Sequence, residues 1–258
     1  MQFETIDFYY FSGTGNTLLV VRKMAEVFEE NGVNVNIYRI EKTDPSDINL
    51  NHVIGLGFPV AEQGTYPFVW DFVRSLPEAD GFPIFMVDTL LAYSGGVVGP
   101  MKRIVKKKGY HPVGAKEILM PNNLFPRKII AEKNEKKIHK GLEKAKKYAN
   151  DILEGKSKWP RIPVLSDFLA IFSEQDLTWR FFRKYYRLSI DTSKCKRCKL
   201  CFKLCPVENI EMKEYPKLGK RCIFCMRCIS FCPTKAIHRS KDKYQVYRAV
   251  KADELLKY

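Results

Sequence analysis

Eight cysteines stand in the last quarter of the 258-residue chain, and they repeat one spacing twice. Each set has three cysteines separated by two residues, then a fourth after three more residues, followed by proline. In this spacing the first three cysteines hold one [4Fe–4S] cluster, and the fourth reaches the other cluster. The sequence therefore predicts two clusters with crossed ligands. Cluster one takes Cys195, Cys198, Cys201 and Cys232, and cluster two takes Cys222, Cys225, Cys228 and Cys205.

Zinc and disulfides are the competing interpretations of these cysteines. Zinc sites use four ligands in paired C-x-x-C knuckles, which leaves no role for the third cysteine or for the Cys-Pro step. Disulfides need an oxidising compartment, and the first residues, Met1-Gln2-Phe3-Glu4, show no signal peptide. Iron–sulfur clusters in a reducing cytoplasm are therefore the expectation.

Residues 191–240 resemble the bacterial-type two-cluster ferredoxins. Asn209-Ile210 after the first Cys-Pro step and Ala236-Ile237 after the second also fit that family. The resemblance implies a small α+β domain that transfers single electrons.

The chain is long for a ferredoxin, so its length predicts a second domain. With 45% hydrophobic residues it can bury a core, and no apolar run approaches the roughly 18 residues of a membrane span. We therefore expect a soluble protein.

The net charge of +15 is unevenly distributed along the chain, since residues 1–125 carry −3 and residues 191–240 carry +8. We expect no nucleic-acid partner, because no nucleic-acid-binding motif accompanies this charge.

Residues 1–154 alternate apolar strands with helices. The predicted strands are Thr5–Phe11, Val33–Ile40, His52–Phe58, Pro83–Val87 and Val113–Met120. The predicted helices are Asn16–Glu30, Tyr66–Leu76, Val97–Lys108 and Lys128–Leu153. Repeated strand–helix units favour a doubly wound parallel sheet of the α/β class, in which ligands bind at the carboxyl ends of the strands.

A glycine-rich loop follows the first predicted strand and reads Ser12-Gly13-Thr14-Gly15-Asn16-Thr17. Its hydroxyls, and the amides at the start of the next helix, could hold a phosphate. A Walker loop needs a lysine that this loop lacks, and a dinucleotide fingerprint needs glycine where Leu18 stands. The stretch Phe11–Thr17 resembles the phosphate loop of flavodoxins, which implies a flavodoxin-like fold and FMN. A plain glycine-rich turn is the remaining alternative.

Two further loops, Gly57–Pro67 and Thr89–Gly96, stand where flavodoxins hold the flavin ring. Ala61 stands where many relatives are expected to have tyrosine. This leaves open which aromatic side chain stacks on the flavin, and for each the alternative is ordinary core packing. The candidates are Phe58, Tyr66 and Tyr93. The resemblance implies these FMN-binding residues: Ser12, Gly13, Thr14, Gly15, Asn16, Thr17, Phe58, Pro59, Gly64, Tyr66, Thr89, Tyr93, Ser94, Gly95 and Gly96.

Fused flavodoxin–ferredoxin proteins show similar loops, including a later Met-Pro-x-Asn step, here Met120-Pro121-Asn122-Asn123. The chain resembles that family over most of residues 3–125. The expected division is a flavodoxin-like domain at 1–154, a helical connector at 155–190, a ferredoxin domain at 191–240 and a C-terminal tail at 241–258.

The connector carries two apolar and aromatic stretches, Val164–Phe172 and Leu177–Leu188. A helix that lies on a membrane surface or docks a partner is one interpretation. We favour a helical clamp between the two domains, because long structureless linkers are uncommon in compact proteins and electron transfer needs a fixed cofactor spacing.

Basic residues surround the cysteines: Lys194, Lys196, Arg197, Lys199, Lys203, Arg221 and Arg227. They favour docking of an acidic redox partner. We expect an electron carrier that links FMN and two [4Fe–4S] clusters to a partner oxidoreductase, and we name no catalytic residue. The alternatives are a reductase acting directly on a quinone or an unsaturated substrate, and a redox sensor. A homodimer is compatible with each of them.

Overall fold

The computed structural model describes residues 4–92, 95–160, 175–239 and 243–258. Within them, five parallel strands form one sheet: β1 (Thr5–Tyr10), β2 (Asn34–Arg39), β3 (Val53–Pro59), β4 (Pro83–Leu90) and β5 (His111–Leu119). They lie in the order β2-β1-β3-β4-β5, which is the flavodoxin-like order of a doubly wound sheet. The predicted α/β class and flavodoxin-like sheet are therefore confirmed.

Helices cover both faces of this sheet: α1 (Asn16–Glu30), α2 (Pro67–Arg74), α3 (Val98–Lys107) and α4 (Ala131–Leu153). The cores on the two faces are separate, with α1 and α4 on one face and α2 and α3 on the other. Successive side chains of a strand point to opposite faces of the sheet. In β1, the Phe8 and Tyr10 side chains therefore face α1, and the Tyr9 side chain faces α2. Burial on both faces is what a parallel sheet needs.

Helix α5 (Asp176–Tyr185) contacts both parts of the chain. The Trp179 ring packs on Tyr66 of the N-terminal part, with ring centroids 5.6 Å apart. Just past the helix, the Tyr186 ring packs on Phe224, between two cysteines of the second motif, at 5.5 Å. These contacts are those that the clamp interpretation expects of the connector.

The opposite side of α5 is apolar and exposed. Leu177, Phe181 and Tyr185 have exposed fractions of 74%, 63% and 60%. The other apolar stretch of the connector, Val164–Phe172, lies outside the described residues. Within the described ranges, no helix has both the length and the apolar composition of a membrane span.

The C-terminal part is a small α+β unit. Strand β6 (Leu188–Ile190) pairs with β9 (Ile237–Arg239), and β7 (Ile210–Met212) pairs with β8 (Pro216–Leu218), both antiparallel. Two short helices, α6 (Leu200–Leu204) and α7 (Arg227–Ser230), pack on each other. This is the small second unit that the resemblance implies.

Residues 243–258 return to the N-terminal part and end in α8 (Ala252–Leu256). The Val250 and Leu255 side chains join the core beside α1. The Arg22 guanidinium of α1 forms an ion pair with Glu254, with Nη1 and Oε2 2.5 Å apart. The predicted tail is therefore part of the folded core, which the sequence did not indicate.

Asp88 of β4 is fully buried, and neither of its carboxylate oxygens has a hydrogen-bond partner in the part of the chain that the structure describes. Burial raises the pKa of this carboxyl well above its usual range, and Glu117, in register on β5, adds to the effect. Asp88 is therefore neutral in the folded protein over a pH range in which it would be ionised in the unfolded chain.

We expect Asp88→Asn to make the protein more stable at neutral pH. A raised folded-state pKa leaves stability intact below the unfolded-state pKa of about 4 and reduces it as pH rises towards the folded-state value. Relative to the variant, the natural protein should lose about 1.4 kcal/mol per pH unit across that window. Urea unfolding at several pH values measures this difference. A constant stability difference between pH 4 and pH 8 would contradict it.

Candidate cofactor sites

The loop after β1 brings polar groups to the carboxyl end of the sheet. Gly15 adopts a left-handed conformation, φ 107°, and its amide donates to the Ser12 hydroxyl at 3.1 Å. The Thr17 and Thr89 hydroxyls lie 2.8 Å apart and join this loop to the end of β4. The Thr14 hydroxyl is buried and has no hydrogen-bond partner among the described residues. An unsatisfied buried hydroxyl beside the amides at the start of α1 fits a phosphate group as its partner.

A cavity of about 190 Å³ opens at this loop. Eight of the predicted FMN-binding residues line it: Ser12, Gly13, Thr14, Asn16, Thr17, Pro59, Tyr66 and Thr89. Gly15, Gly64, Gly95 and Gly96 do not appear in its lining. Tyr93 and Ser94 lie outside the described residues. The Met120–Asn123 step also lines the cavity, and the Pro121 carbonyl accepts a hydrogen bond from the Asn16 side chain at 2.9 Å.

The structure places Phe58 elsewhere, in the apolar core on the α2 and α3 face, where its side chain is fully buried. The alternation of side chains along β3 turns Phe58 into that core, so it does not reach the cavity. Aromatic side chains from outside the predicted loops line the cavity in place of Phe58. Trp179, Phe182 and Tyr186 of the connector line the cavity, together with Phe224.

The eight cysteines fall into two groups in space. Cys195, Cys198, Cys201 and Cys232 line one cavity. Cys205, Cys222, Cys225 and Cys228 line another. Each group takes three cysteines from one motif and the fourth from the other, which is the crossed arrangement that the spacing predicts. Within the described residues, no three cysteine, histidine or acidic side chains meet as they would around a single metal ion.

The two motifs repeat in backbone conformation as well as in sequence. The residues on either side of the second cysteine have positive φ in both motifs, namely Arg197 and Lys199, then Phe224 and Met226. Glu208 and Lys235 also have positive φ, each three residues after the last cysteine of its motif. The conformation is uncommon for residues other than glycine, so its repetition indicates that both loops wrap the same kind of group.

Backbone amides donate to the last sulfur of each motif. The Asn209 amide lies 3.2 Å from Cys205 Sγ, and the Ala236 amide lies 3.2 Å from Cys232 Sγ. Although burial alone would raise the pKa of Cys232, such amide hydrogen bonds lower it below its usual value. Hydrogen bonds to sulfur stabilise the thiolate form that iron requires.

Several of the other thiols are protonated in the absence of a metal. Burial raises the pKa of Cys201 to about 11 and that of Cys225 to about 12. Binding of iron would therefore displace protons from these sulfurs. Four convergent thiols in each group, with amides that donate to sulfur, fit the ligand set of a [4Fe–4S] cluster.

Arg227 joins the second cysteine motif to the N-terminal part. Its side chain is 2% exposed and forms an ion pair with Glu41, equally buried, at 2.6 Å. The Arg227 Nε group donates to the Ser12 carbonyl at 2.9 Å, and Nη1 donates to the Leu204 carbonyl at 3.3 Å. The guanidinium also lies over the Phe11 ring, 4.6 Å from its centroid. Both charges of the pair are therefore compensated inside the protein.

The assignment of Arg227 to a basic docking surface was wrong for this reason. A residue that is 2% exposed cannot meet a partner protein. Sequence alone treats an arginine between cysteines as a surface charge, because arginine is rarely buried unless it is paired. Its partner, Glu41, is 186 residues away along the chain. The other predicted basic residues of the first motif are exposed: Lys194, Lys196, Arg197, Lys199 and Lys203.

Known proteins resemble the C-terminal part in sequence. Residues 187–233 match the family model of a 4Fe-4S dicluster domain. A ferredoxin of Methanothermococcus thermolithotrophicus is 40% identical over an alignment of 55 residues, and this alignment covers 19% of this chain and 92% of that ferredoxin. A ferredoxin of Pyrobaculum islandicum is 32% identical over an alignment of 62 residues, and this alignment covers 23% of this chain and 58% of that protein.

The N-terminal part is similar to solved flavodoxins. The two-electron reduced flavodoxin of Megasphaera elsdenii is 23% identical, with a TM-score of 0.41 over 54% of this chain and 98% of the flavodoxin. The strand order β2-β1-β3-β4-β5 of the sheet is itself flavodoxin-like. The predicted joining of a flavodoxin-like part to a ferredoxin part is confirmed. The chain belongs to the ferredoxin family through its 4Fe-4S dicluster domain, which follows a flavodoxin-like α/β part.

Proposed function

We propose that this chain is an iron–sulfur flavoprotein that transfers electrons between a protein partner and FMN by way of two [4Fe–4S] clusters. One observation carries the proposal. The cavity lined by the cluster-two cysteines and the cavity at the phosphate loop share two wall residues, Ile223 and Phe224. These residues lie between Cys222 and Cys225. A cluster held there would be separated from the flavin site by a thin wall of protein.

Residues of the phosphate loop would hold the flavin at its phosphate end. The unpartnered Thr14 hydroxyl and the first amides of α1 can donate to phosphate oxygens. Ser12 and Thr17 supply further hydroxyls at the cavity wall. Neutral donors are sufficient there, because the start of a helix attracts an anion.

Aromatic residues would orient the ring of the flavin. Tyr66 and Trp179 pack on each other at the cavity wall, and Tyr186 and Phe224 form a second pair there. Burial raises the pKa of Tyr66 well above its usual range, so its hydroxyl stays protonated. We therefore assign the stacking role to these residues in place of Phe58.

When bound, FMN exchanges up to two electrons and each cluster exchanges one. The exposure of the cysteines supports one order of the two clusters between the protein surface and the flavin. Cys198 of the first group is exposed, whereas Cys225 of the second is buried and lies against the phosphate loop. Cluster one would therefore be the outer site, which meets the partner, and cluster two would be the inner site next to the flavin.

The size of the flavin cavity favours a carrier over a reductase with its own small-molecule substrate. Its volume of about 190 Å³ is below the roughly 300–1,000 Å³ usual for ligand pockets. FMN is itself of the size that such pockets hold, so a bound flavin would leave no enclosed room in this cavity for a second ligand. Side chains of α5 and of the second cysteine motif also line this space.

The surface over cluster one offers a docking site for an acidic redox protein. Lys196, Lys199 and Lys203 are exposed around Cys198, and the Phe202 ring among them is 50% exposed. An apolar anchor surrounded by positive charge is suited to an acidic partner with an apolar centre. We call these five residues the cluster-one face.

We expect Lys196→Glu/Lys203→Glu to slow electron transfer from a reduced acidic ferredoxin to the flavin about tenfold or more at low salt, because reversed charges remove electrostatic steering. Raising the ionic strength should slow electron transfer to the natural protein and reduce the difference in rate between it and the variant. Stopped-flow absorbance of the flavin measures the rate. The matched control is Arg180→Glu/Arg187→Glu, which reverses two exposed charges beside the cluster-two cavity. A slower rate in the control alone would show that the partner docks over cluster two.

A further inference from the structure

We infer that the C-terminal part completes the phosphate loop, so that assembly of cluster two and binding of FMN are thermodynamically coupled. The inference rests on the proposed function, since it concerns the same flavin site. Its basis is a continuous set of contacts from residues beyond 220 to each of the five loop residues 12–16.

The second cysteine motif makes the first two contacts. The Ser12 carbonyl accepts a hydrogen bond from Arg227 Nε at 2.9 Å. Gly13 lies directly against the Cys225 carbonyl, and a Cβ at this glycine would stand only 2.4 Å from that oxygen. Only glycine permits this approach, so the loop and the cluster-two ligand Cys225 pack backbone to backbone.

The last residues of the chain make the remaining three contacts. The Ala249 amide donates to the Thr14 carbonyl at 2.8 Å. Val250 packs on Gly15, where a Cβ would meet its side chain at 2.6 Å. The Tyr247 hydroxyl donates to Asn16 Oδ1 at 2.7 Å. Asn16 in turn donates from Nδ2 to the Pro121 carbonyl, so Tyr247 holds the Asn16 amide across the cavity wall.

The second motif needs a bound group to keep the shape that makes these contacts. Residues 221–226 form neither helix nor strand. Phe224 and Met226 within them have φ of 52° and 67°, a conformation disfavoured for residues with a Cβ. Four thiolates bound to one cluster would fix this segment. Without the cluster, the Cys225 carbonyl would lose its fixed position against Gly13.

Coupling of this kind is reciprocal. If cluster two raises the affinity for FMN by some factor, FMN stabilises cluster two by the same factor. The ligands of cluster one make none of the five loop contacts, because none of these contacts comes from residues 195–201 or from Cys232. The affinity for FMN should therefore fall when cluster two is lost and stay unchanged when cluster one is lost, although their ligand motifs are alike.

Anaerobic titration of FMN into the cluster-loaded full-length protein, followed by quenching of flavin fluorescence, tests the inference. We expect Cys228→Ala, which removes a cluster-two ligand, to weaken FMN binding about 5- to 150-fold. Cys201→Ala is the matched control, since it removes a cluster-one ligand, and its FMN affinity should stay near that of the natural protein. Tyr247→Phe should weaken binding whether or not cluster two is present.

A second measurement uses the natural protein alone and does not depend on how the variants fold. With saturating FMN, removal of about half of the iron should need a higher equilibrium concentration of a competing chelator, and removal of the other half should be unchanged. Iron release that FMN does not affect would overturn the coupling, as would equal FMN affinity in Cys228→Ala. Equal loss of FMN affinity in both cysteine variants would also overturn it. If the natural protein binds no FMN at all, the proposed function itself fails.

Discussion

Arg227→Met should destabilise the folded protein by about 3–5 kcal/mol, because it leaves the Glu41 carboxylate buried and unpaired. The substitution also removes the donors to the Ser12 and Leu204 carbonyls, so three acceptors lose their partner at once. Methionine fills a similar volume, which limits the contribution of an empty cavity. Anaerobic urea unfolding of the reconstituted protein, followed by circular dichroism, measures the change in the free energy of unfolding.

Two further variants separate the buried pair from other effects of the substitution. Arg227→Met/Glu41→Met removes both charges and should regain much of the lost stability, since a buried pair can often be replaced by apolar residues at little cost. Lys220→Met changes an exposed cation next to the same segment, and its effect should stay within about 0.5 kcal/mol. If the double variant is no more stable than Arg227→Met, the isolated charge of Glu41 is not the cause.

Pairs of cysteine substitutions should give non-additive iron contents that reveal the crossed ligands. Cys201→Ala and Cys232→Ala should each reduce the iron bound from about eight atoms to about four. Because both line the same cavity, Cys201→Ala/Cys232→Ala should also retain about four. Cys228→Ala/Cys232→Ala, with one residue from each cavity, should retain almost none.

Iron and sulfide analysis after anaerobic reconstitution provides these counts. The alternative is that each motif holds its own cluster without exchange of the fourth cysteine. In that case Cys201→Ala/Cys205→Ala would retain about four iron atoms, and Cys201→Ala/Cys232→Ala would retain almost none. The two ligand schemes therefore predict opposite outcomes for the same two variants.

The parts of this molecule that the sequence could predict depend on short-range patterns. The strand and helix alternation in residues 1–154 predicts a parallel sheet, because each unit must bury its apolar face against the next. The cysteine spacing predicts which four residues meet, because the loop length alone prevents the fourth cysteine of a motif from reaching the first cluster. The glycines and hydroxyls at residues 12–17 predict a phosphate loop for the same local reason.

The parts that it could not predict depend on contacts between distant residues. Tyr247 and Val250 belong to no motif, and they meet the phosphate loop more than 230 residues away along the chain. Arg227 is a surface residue by composition and a buried one only because Glu41 faces it. Phe58 is the opposite case, because an aromatic residue at the end of a buried strand can face either the ligand or the core. Only the register of β3 in the sheet decides between them.

We propose that one chain holds a flavin beside two [4Fe–4S] clusters. Anaerobic reconstitution with iron, sulfide and FMN, followed by a combined optical and EPR redox titration, tests it most directly. We expect about eight iron atoms and one FMN per chain, with separate reduction steps for a flavin and two clusters. Zinc in place of iron, or clusters in a protein that does not retain FMN, would contradict it.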